Sequence, residues 1–242
     1  GLFFFFFAQS AVLSRRFAEA FNDVEDLSVN LERKVESRTR DLELALNEVE
    51  QTSEESRILA DLARRANEAR TIDEIMEHVA ATIREQFNAD GLSLLVVDSG
   101  AKNLMLRVGY IHGQPMKLKE MPDIIKKIPI ARESGTYYRT YAKQRPMRID
   151  RLPPAYLAQF PVDAAFVEFS GLEWAVELPL MVEERVIGLL GIFGTARSRR
   201  KLTQKEMAFA ERIAAQVAGA VRAAELLNEA ARARAESDRL LV

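Results

Sequence analysis

The stretch EWAVELPLMVEERVIGLLGIFG, which spans residues 173–194, decides the fold. Two apolar runs flank the polar pair Glu183-Glu184, and this pattern predicts a β-hairpin that turns at the pair. The second run, VIGLLGIF, is apolar throughout, so both faces of that strand must be covered. Its glycines, Gly188 and Gly191, allow a helix or a ligand to approach the backbone closely. The hairpin therefore belongs to a sheet with a layer of structure on each face.

One of these layers is predicted by the segment directly after the hairpin, KLTQKEMAFAERIAAQVAGAVRAAELL. Thr203 and Glu206 form a capping box, which marks the start of a long helix with an apolar face. Leu202 and Met207 add a hydrophobic staple at the same end. We expect residues 224–242 to leave the domain as an exit signalling helix that forms a second coiled coil. The apolar seam of this helix consists of Ile213, Val217, Ala220, Ala224, Leu227 and Ala231.

Upstream of the hairpin, helix and strand signals follow one another. TIDE at residues 71–74 is a capping box that opens a helix, and NADG at residues 88–91 ends it. LSLLVVD (92–98) and LMLRVGY (104–110) predict another hairpin. The remaining predictions are short helices near 123–127 and 136–143, a strand at 147–149 and an irregular, proline-marked stretch at 152–169.

The first residues of the sequence form an apolar segment, GLFFFFFAQSAVL. Its helical length of about 20 Å is short of the ~30 Å hydrocarbon core, so it cannot span a bilayer alone. Arg15 and Arg16 follow it, as expected on the cytoplasmic side of a membrane. We therefore expect residues 1–13 to be the inner end of a transmembrane helix, which would place the protein at the cytoplasmic side of the cell membrane. The alternative is an apolar helix end that packs against the rest of the chain.

A heptad pattern follows in residues 14–69, where both glycine and proline are absent. It predicts one continuous helix of about 80 Å that forms a parallel coiled-coil homodimer. Polar residues in the seam weaken the pairing and let the two helices shift more easily in rotation or register. The apolar seam positions are Phe17, Phe21, Val24, Leu31, Val35, Leu42, Ala45, Val49, Leu59, Ala63 and Ala66, and the polar ones are Ser28, Arg38, Thr52 and Ser56.

The ordered set of segments resembles a GAF domain over residues 58–223. The match comprises a helix, two strands, SGTYYRTYAKQRPMRIDRL, a variable loop, the 173–194 hairpin and LTQKEMAFAERIAAQVAGAV. The resemblance implies an α+β fold in which an antiparallel sheet carries helices on one face and a ligand pocket on the other. Long coiled-coil helices are expected before and after this domain.

Two further resemblances concern the ends of the sequence. FFFFFAQSAVLSRRF followed by LERKVESRTRDLE resembles the exit of the last membrane helix of seven-transmembrane receptors with diverse intracellular signalling modules. ESDRLLV resembles the short helix that leads into class III nucleotide cyclase domains. Together they imply a regulatory module of a membrane-anchored adenylate or guanylate cyclase. A histidine kinase or phosphatase parent, and a dimerisation spacer that binds nothing, are the alternatives.

Composition and motifs limit the chemistry of the chain. The sequence has no cysteine, which excludes a covalently attached bilin and the thiol catalysis of the methionine sulfoxide reductase branch of GAF domains. A lone His112 is weak support for a haem ligand, and Lys201, Phe209 and Glu211 match the cyclic-nucleotide-binding set only loosely. A net charge of −2 gives no reason to expect nucleic acid as a partner. We find no catalytic constellation and expect a sensory segment that is not itself an enzyme, with an unidentified small molecule as its ligand.

Candidate ligand-binding residues come from the loop side of the predicted sheet. Aromatic side chains there stack on a planar ligand or fill the cavity. Glu177 lies in a strand whose alternation directs it away from Trp174, and a buried carboxylate needs a partner. Either Arg148 or Arg107 pairs with it, or a ligand supplies the donor. The candidates are Tyr110, His112, Tyr137, Tyr138, Phe166, Phe169, Trp174 and Glu177.

Overall fold

The structure, a computed structural model, describes residues 2–69, 71–198 and 201–240. The chain divides into two compact units, Gly1–Glu55 and Ser56–Val242. Gly1 of the expected membrane segment and residues 241–242 of the expected exit helix lie outside the described residues.

Helix α1 (Leu2–Glu68) provides all of the secondary structure described for the first unit. Six large apolar residues of the predicted seam are 58% to 76% exposed in the single chain, namely Phe17, Phe21, Leu31, Val35, Leu42 and Val49. Among the described residues, no helix has an apolar stretch long enough to cross a membrane. The continuous helix is as predicted, and its pairing with a second copy remains a prediction.

The second unit is built on one antiparallel sheet, which contains seven strands within the described residues. The hairpin quoted above forms two neighbouring strands in its interior, and its turn residues Glu183 and Glu184 have φ angles of 47° and 66°, as a tight hairpin turn requires. The strands are β1 (Gly91–Val97), β2 (Asn103–Ile111), β3 (Gln114–Pro115), β4 (Lys127–Pro129), β5 (Met147–Ile149), β6 (Leu172–Val182) and β7 (Arg185–Thr195). Their order is β3-β2-β1-β7-β6-β5, with β4 paired to β2.

Six further α-helices and two short 3₁₀ helices, Leu118–Glu120 and Arg132–Ser134, belong to this unit within the described residues. The two predicted capping boxes are present: Thr71 Oγ1 accepts a hydrogen bond from the Glu74 amide at 3.3 Å, and the Thr203 amide donates to Glu206 Oε2 at 2.7 Å. The helices are α2 (Ile72–Phe87), α3 (Asp123–Lys126), α4 (Thr136–Lys143), α5 (Pro154–Leu157), α6 (Pro161–Ser170) and α7 (Gln204–Leu240).

Each face of the sheet is covered by its own hydrophobic cluster. On one face, α2 and α7 pack on the sheet, and the last turns of α1 pack on these two helices. On the other face, the shorter α3, α4 and α6 cover the sheet. Strand β6 contributes to both faces by alternation, with Trp174 and Val176 under α7 and Ala175 opposite. The predicted α+β architecture is confirmed, with long helices on one face and a long helix before and after the domain.

The stretch at 152–169, expected to be irregular, contains two helices instead, α5 and α6. The prolines suggested an interruption, but Pro154 and Pro161 each occupy the first turn of a helix, where the missing N–H has no intrahelical partner to lose. Val162 and Phe166, one turn apart on α6, are both buried and anchor that helix on the sheet.

Candidate functional site

A small cavity lies between the sheet and the shorter helices. Its volume is about 20 Å³, which is room for one or two water-sized groups. Strands β1, β6 and β7 form its floor and helices α4 and α6 its roof. Its polar wall consists of Ser93, Thr136, Asp163 and Glu177, and its aromatic wall of Tyr137, Phe166 and Phe193.

Glu177 is the centre of the polar wall and is only 4% exposed. Its Oε1 lies 2.8 Å from Thr136 Oγ1, and its Oε2 lies 2.6 Å from Thr140 Oγ1. The two threonines are one turn apart on α4, so a single helical face holds both oxygens of the carboxyl group. The arginine pairing expected from the sequence is wrong: Arg148 donates to the Leu202 carbonyl, and Arg107 is exposed.

Asp163, on α6, is the second buried carboxyl group of the wall and is 3% exposed. Its Oδ1 lies 2.6 Å from Thr136 Oγ1, while its Oδ2 accepts from the Thr136 amide at 3.1 Å and from the Tyr156 hydroxyl at 3.0 Å. Thr136 therefore stands between Asp163 and Glu177, with its hydroxyl oxygen in contact with both carboxyl groups.

Gly135 allows Asp163 to come this close to the first turn of α4. Its backbone angles, φ 65° and ψ −121°, are open to glycine and strained for other residues. A Cβ atom at this position would lie 1.9 Å from Asp163 Oδ2. The glycine therefore lets the carboxyl group sit directly against the helix N-terminus, where it receives the Thr136 amide.

Burial and crowding shift the protonation of this cluster. Burial raises the pKa of Glu177 to about 7, against the lowering effect of hydrogen bonds from Thr140 and Thr136, and the charge of Asp163 raises it as well. Burial also raises the pKa of Asp163, while hydrogen bonds from Thr136 and Tyr156 lower it. Tyr137, which is buried beside both carboxyl groups, has a pKa well above its usual value, first through desolvation and then through their charges. The two carboxyl groups of the site therefore do not ionise independently.

A row of paired residues crosses the sheet beneath the cavity. Gly191 on β7 is paired with Ser93 on one side and with Glu177 on the other. A Cβ atom on Gly191 would lie 2.7 Å from Ser93 Oγ, so the missing side chain leaves a notch between the two polar groups. The cavity exists partly because this position is glycine.

The aromatic wall is a chain of edge-to-face contacts. The Phe166 ring lies 6.1 Å from the Tyr137 ring at 72°, and 5.7 Å from the Phe193 ring at 86°. Such contacts fix the rings in place and leave the cavity with rigid apolar sides.

The structure brings three of the eight sequence candidates to the cavity: Tyr137, Phe166 and Glu177. That these three bind a ligand remains a prediction. The other five candidates do not line this cavity, and each lies elsewhere in the fold. Tyr110 and Trp174 pack on the opposite face of the sheet. His112 is exposed, and its Nδ1 lies 3.5 Å from Asp90 Oδ1. Tyr138 and Phe169 are half-buried away from the cavity.

Four polar residues at the cavity or bonded to Glu177 were not among the candidates, and two of them carried a signal in the sequence. Ser93 is the polar residue inside the apolar run LSLLVV, and Asp163 stands in the apolar helix PVDAAFVEF. A lone polar residue in a buried pattern indicates a specific partner. Thr136 and Thr140 gave no comparable signal, because threonine is common on helix surfaces as well as inside.

Among the described residues, no group of three or more acidic or histidine side chains could hold a metal ion.

Comparison with known proteins agrees with this architecture. The family model described as GAF domain matches residues 69–222. The chain resembles the GAF domain of a Coxiella burnetii phosphoenolpyruvate-protein phosphotransferase, with 17% identity and a TM-score of 0.55 over 72% of this chain and 96% of that one. It also resembles the GAF domain of a two-component sensor histidine kinase from Bacillus halodurans, with 16% identity and a TM-score of 0.51 over 66% and 99% of the two chains.

A third similar structure is free methionine-R-sulfoxide reductase from Neisseria meningitidis, with 15% identity and a TM-score of 0.52 over 72% of this chain and 91% of that one. Identities this low show a shared fold alone. No curated protein sequence matches the chain. Because the family match covers more than half of the residues and the fold agrees with it, the chain belongs to the GAF domain family and carries a regulatory, sensory module of that kind.

Proposed function

We propose that this GAF domain senses a small molecule in the cavity beside Glu177 and transmits its state through dimeric coiled coils. The observation that supports the proposal is that strand β6 contributes side chains to both faces of the sheet. Glu177 faces the cavity, whereas its neighbours Val176 and Leu178 pack in the cluster that contains α7. A ligand that moves Glu177 therefore acts on the strand that supports α7. The helix is the element through which such a change would leave the domain.

The proposed parent is a membrane-anchored class III adenylate or guanylate cyclase. The support lies in the sequence: the apolar segment before Arg15 and Arg16 as an anchor on the cytoplasmic side, and ESDRLLV as a cyclase leader. Where active sites form between two chains, a change of helix packing is enough to gate activity. It requires two packings that differ by only a few kcal/mol, and alanine-rich positions such as Ala220 and Ala224 favour this.

Two other functions remain candidates. The similar Bacillus halodurans domain is part of a histidine kinase, so a histidine kinase or a phosphatase is the second candidate for the parent. The small size of the cavity, about 20 Å³, favours the third candidate, a dimerisation spacer that binds nothing. The buried carboxyl groups argue against the spacer, because an apolar filling would serve it better.

Native mass spectrometry of the purified chain tests the sensing function. We expect a dimer that carries an additional small mass, which denaturation removes, because the polar wall of the cavity is suited to a bound molecule. The mass would identify the class of ligand. A dimer of bare protein mass, unchanged after incubation with a cell extract passed through a small-pore filter, would favour the spacer.

The homodimer has its own test in helix α1. Leu42→Glu is expected to raise the dimer dissociation constant about 100-fold, because two copies each lose roughly 1.5 kcal/mol or more of apolar burial in the seam. Leu44→Glu is the matched control, since Leu44 is also exposed, at 64%, but lies off the heptad frame. Sedimentation equilibrium measures both. Equal effects of the two variants would contradict a coiled coil in this frame.

A further inference from the structure

The hydrogen bonds at the cavity do not balance if both carboxyl groups are ionised. Thr136 Oγ1 lies 2.6 Å from Asp163 Oδ1 and 2.8 Å from Glu177 Oε1, yet a hydroxyl group has one proton to donate. With two carboxylates, one of these short contacts would join two acceptors. A proton on Glu177 resolves it, because Glu177 then donates to Thr136 Oγ1 and Thr136 donates to Asp163. With both carboxyl groups ionised, the site is thus short of one positive charge, which either a proton or a cationic group can supply.

A second, independent feature points into the same space. Ser93 is buried, with only 2% of its surface exposed, and its side chain borders the cavity. Within the described residues, no hydrogen bond is made by its hydroxyl group. Across the notch at Gly191 it faces Glu177. A buried hydroxyl group that opens onto a cavity is suited to bind whatever occupies that cavity.

The surroundings of the cavity specify the missing group. The charged and titratable groups around Glu177 are Asp163 from α6, Tyr137 from α4 and, beyond Asp163, Tyr156 from α5 with Arg139. Arg139 stacks over the Tyr156 and Phe160 rings, at 5.4 and 5.6 Å, rather than entering the cavity. In the described part of the chain, no lysine or arginine bonds to Glu177. The rings of Phe166 and Phe193 favour a cation over an anion.

We propose that the cavity binds a small ligand through a protonated amine, whose N–H groups bind Glu177, Asp163 and the Ser93 hydroxyl. This inference rests on the proposed sensing function and names the chemical class of its ligand. The volume of 20 Å³ fits an ammonium group with at most one carbon atom, so a larger ligand enters with its amine end. On binding, the proton of Glu177 passes to the solvent as the carboxylate forms, and an N–H group of the ammonium donates to Glu177 Oε1 in place of that contact with Thr136. The Thr136 hydroxyl keeps its single proton for Asp163.

Methylammonium chloride is the probe, used with the full chain in thermal unfolding at pH 7. We expect the unfolding temperature to rise by about 4 °C at ten times the dissociation constant, and to stay unchanged with tetramethylammonium chloride at equal ionic strength. Tetramethylammonium has no N–H group and is too large for the cavity. In calorimetry at pH 6, binding should release up to one proton per methylammonium bound, and close to none at pH 8.5.

Glu177→Gln should abolish the rise in unfolding temperature, because the amide donates where the ammonium group must donate. Glu168→Gln, the same substitution at an exposed position of α6, should leave the rise intact. A rise with both salts, or an equal rise in Glu177→Gln, overturns the proposal. If methylammonium has no effect while native mass spectrometry shows a bound neutral molecule, the proposal of an amine ligand is wrong and the proposed sensing function stands. If both experiments are negative, the sensing function fails as well.

Discussion

Glu177→Gln is expected to raise the free energy of unfolding by about 3 kcal/mol at pH 8 and to change it little at pH 4.5, although the position is buried. Glutamine reproduces the protonated carboxyl group: its amide donates to Thr136 Oγ1 and its carbonyl accepts from Thr140. The wild-type protein at pH 8 must instead hold an ionised Glu177 beside Asp163. The variant therefore removes a cost that exists only above neutral pH.

The sign of the pH dependence follows from proton binding. Burial raises the pKa of Glu177 to about 7 from its usual value of 4.5, so between these pH values the folded chain holds a proton that the unfolded chain has released. The stability due to this proton is complete below pH 4.5 and is lost as the pH rises through 7. The raised pKa of Asp163 acts in the same direction. Carboxylates with lowered pKa values, such as Asp98, act oppositely and are common to both proteins.

Urea unfolding of both proteins at pH values between 4.5 and 8 measures the difference directly. The difference in unfolding free energy should grow with pH and reach a plateau above pH 7. Glu168→Gln on α6 is the control, because the same charge is removed from an exposed site, where surface substitutions change stability by about 0.5 kcal/mol or less. A difference that is constant with pH would mean that Glu177 is ionised throughout and that the carboxyl groups share no proton.

Local patterns predicted most of the fold. The 173–194 hairpin, both capping boxes and the apolar face of α2 depend on residues a few positions apart, where turn chemistry and helical periodicity act directly. The helices α5 and α6 were missed because proline was interpreted as an interruption, although proline at the first turn of a helix is compatible with it. Here the position of proline within the pattern carried more information than its presence.

The site was harder to predict because its parts are distant in sequence. Thr136 meets Asp163 across 27 positions and Glu177 across 41, and nothing in the sequence fixes these separations. The choice of Trp174 as a ligand-binding candidate could have been avoided. Trp174 lies three positions from Glu177 on the same strand, so its side chain must face the opposite side of the sheet. Its aromatic character suggested a ligand, but strand alternation places it under α7. The orientation imposed by a strand is a stronger guide than residue type.

Gly135→Ala is the substitution with the largest expected effect, a loss of about 3 to 5 kcal/mol in the free energy of unfolding. Two causes add. Alanine is strained at φ 65° and ψ −121°, and its Cβ atom would lie 1.9 Å from Asp163 Oδ2, a contact that must be relieved by moving α4 or α6. Either movement separates Asp163 from the Thr136 amide. The variant should therefore lose the shared-proton site together with its stability.

Gly171→Ala is the matched control, because it measures the destabilisation caused by backbone strain without a steric contact of the new Cβ atom. Gly171 has a similar φ of 67° at the end of α6, with a ψ of 26° that falls in the left-handed helical region, and a Cβ atom there would meet nothing within 4 Å. Its loss should be about 1 to 2 kcal/mol. Urea unfolding at pH 6 compares the two. If Gly135→Ala were no more destabilising than Gly171→Ala, Asp163 could not be packed against the start of α4, and the proton shared with Glu177 would lose its structural basis.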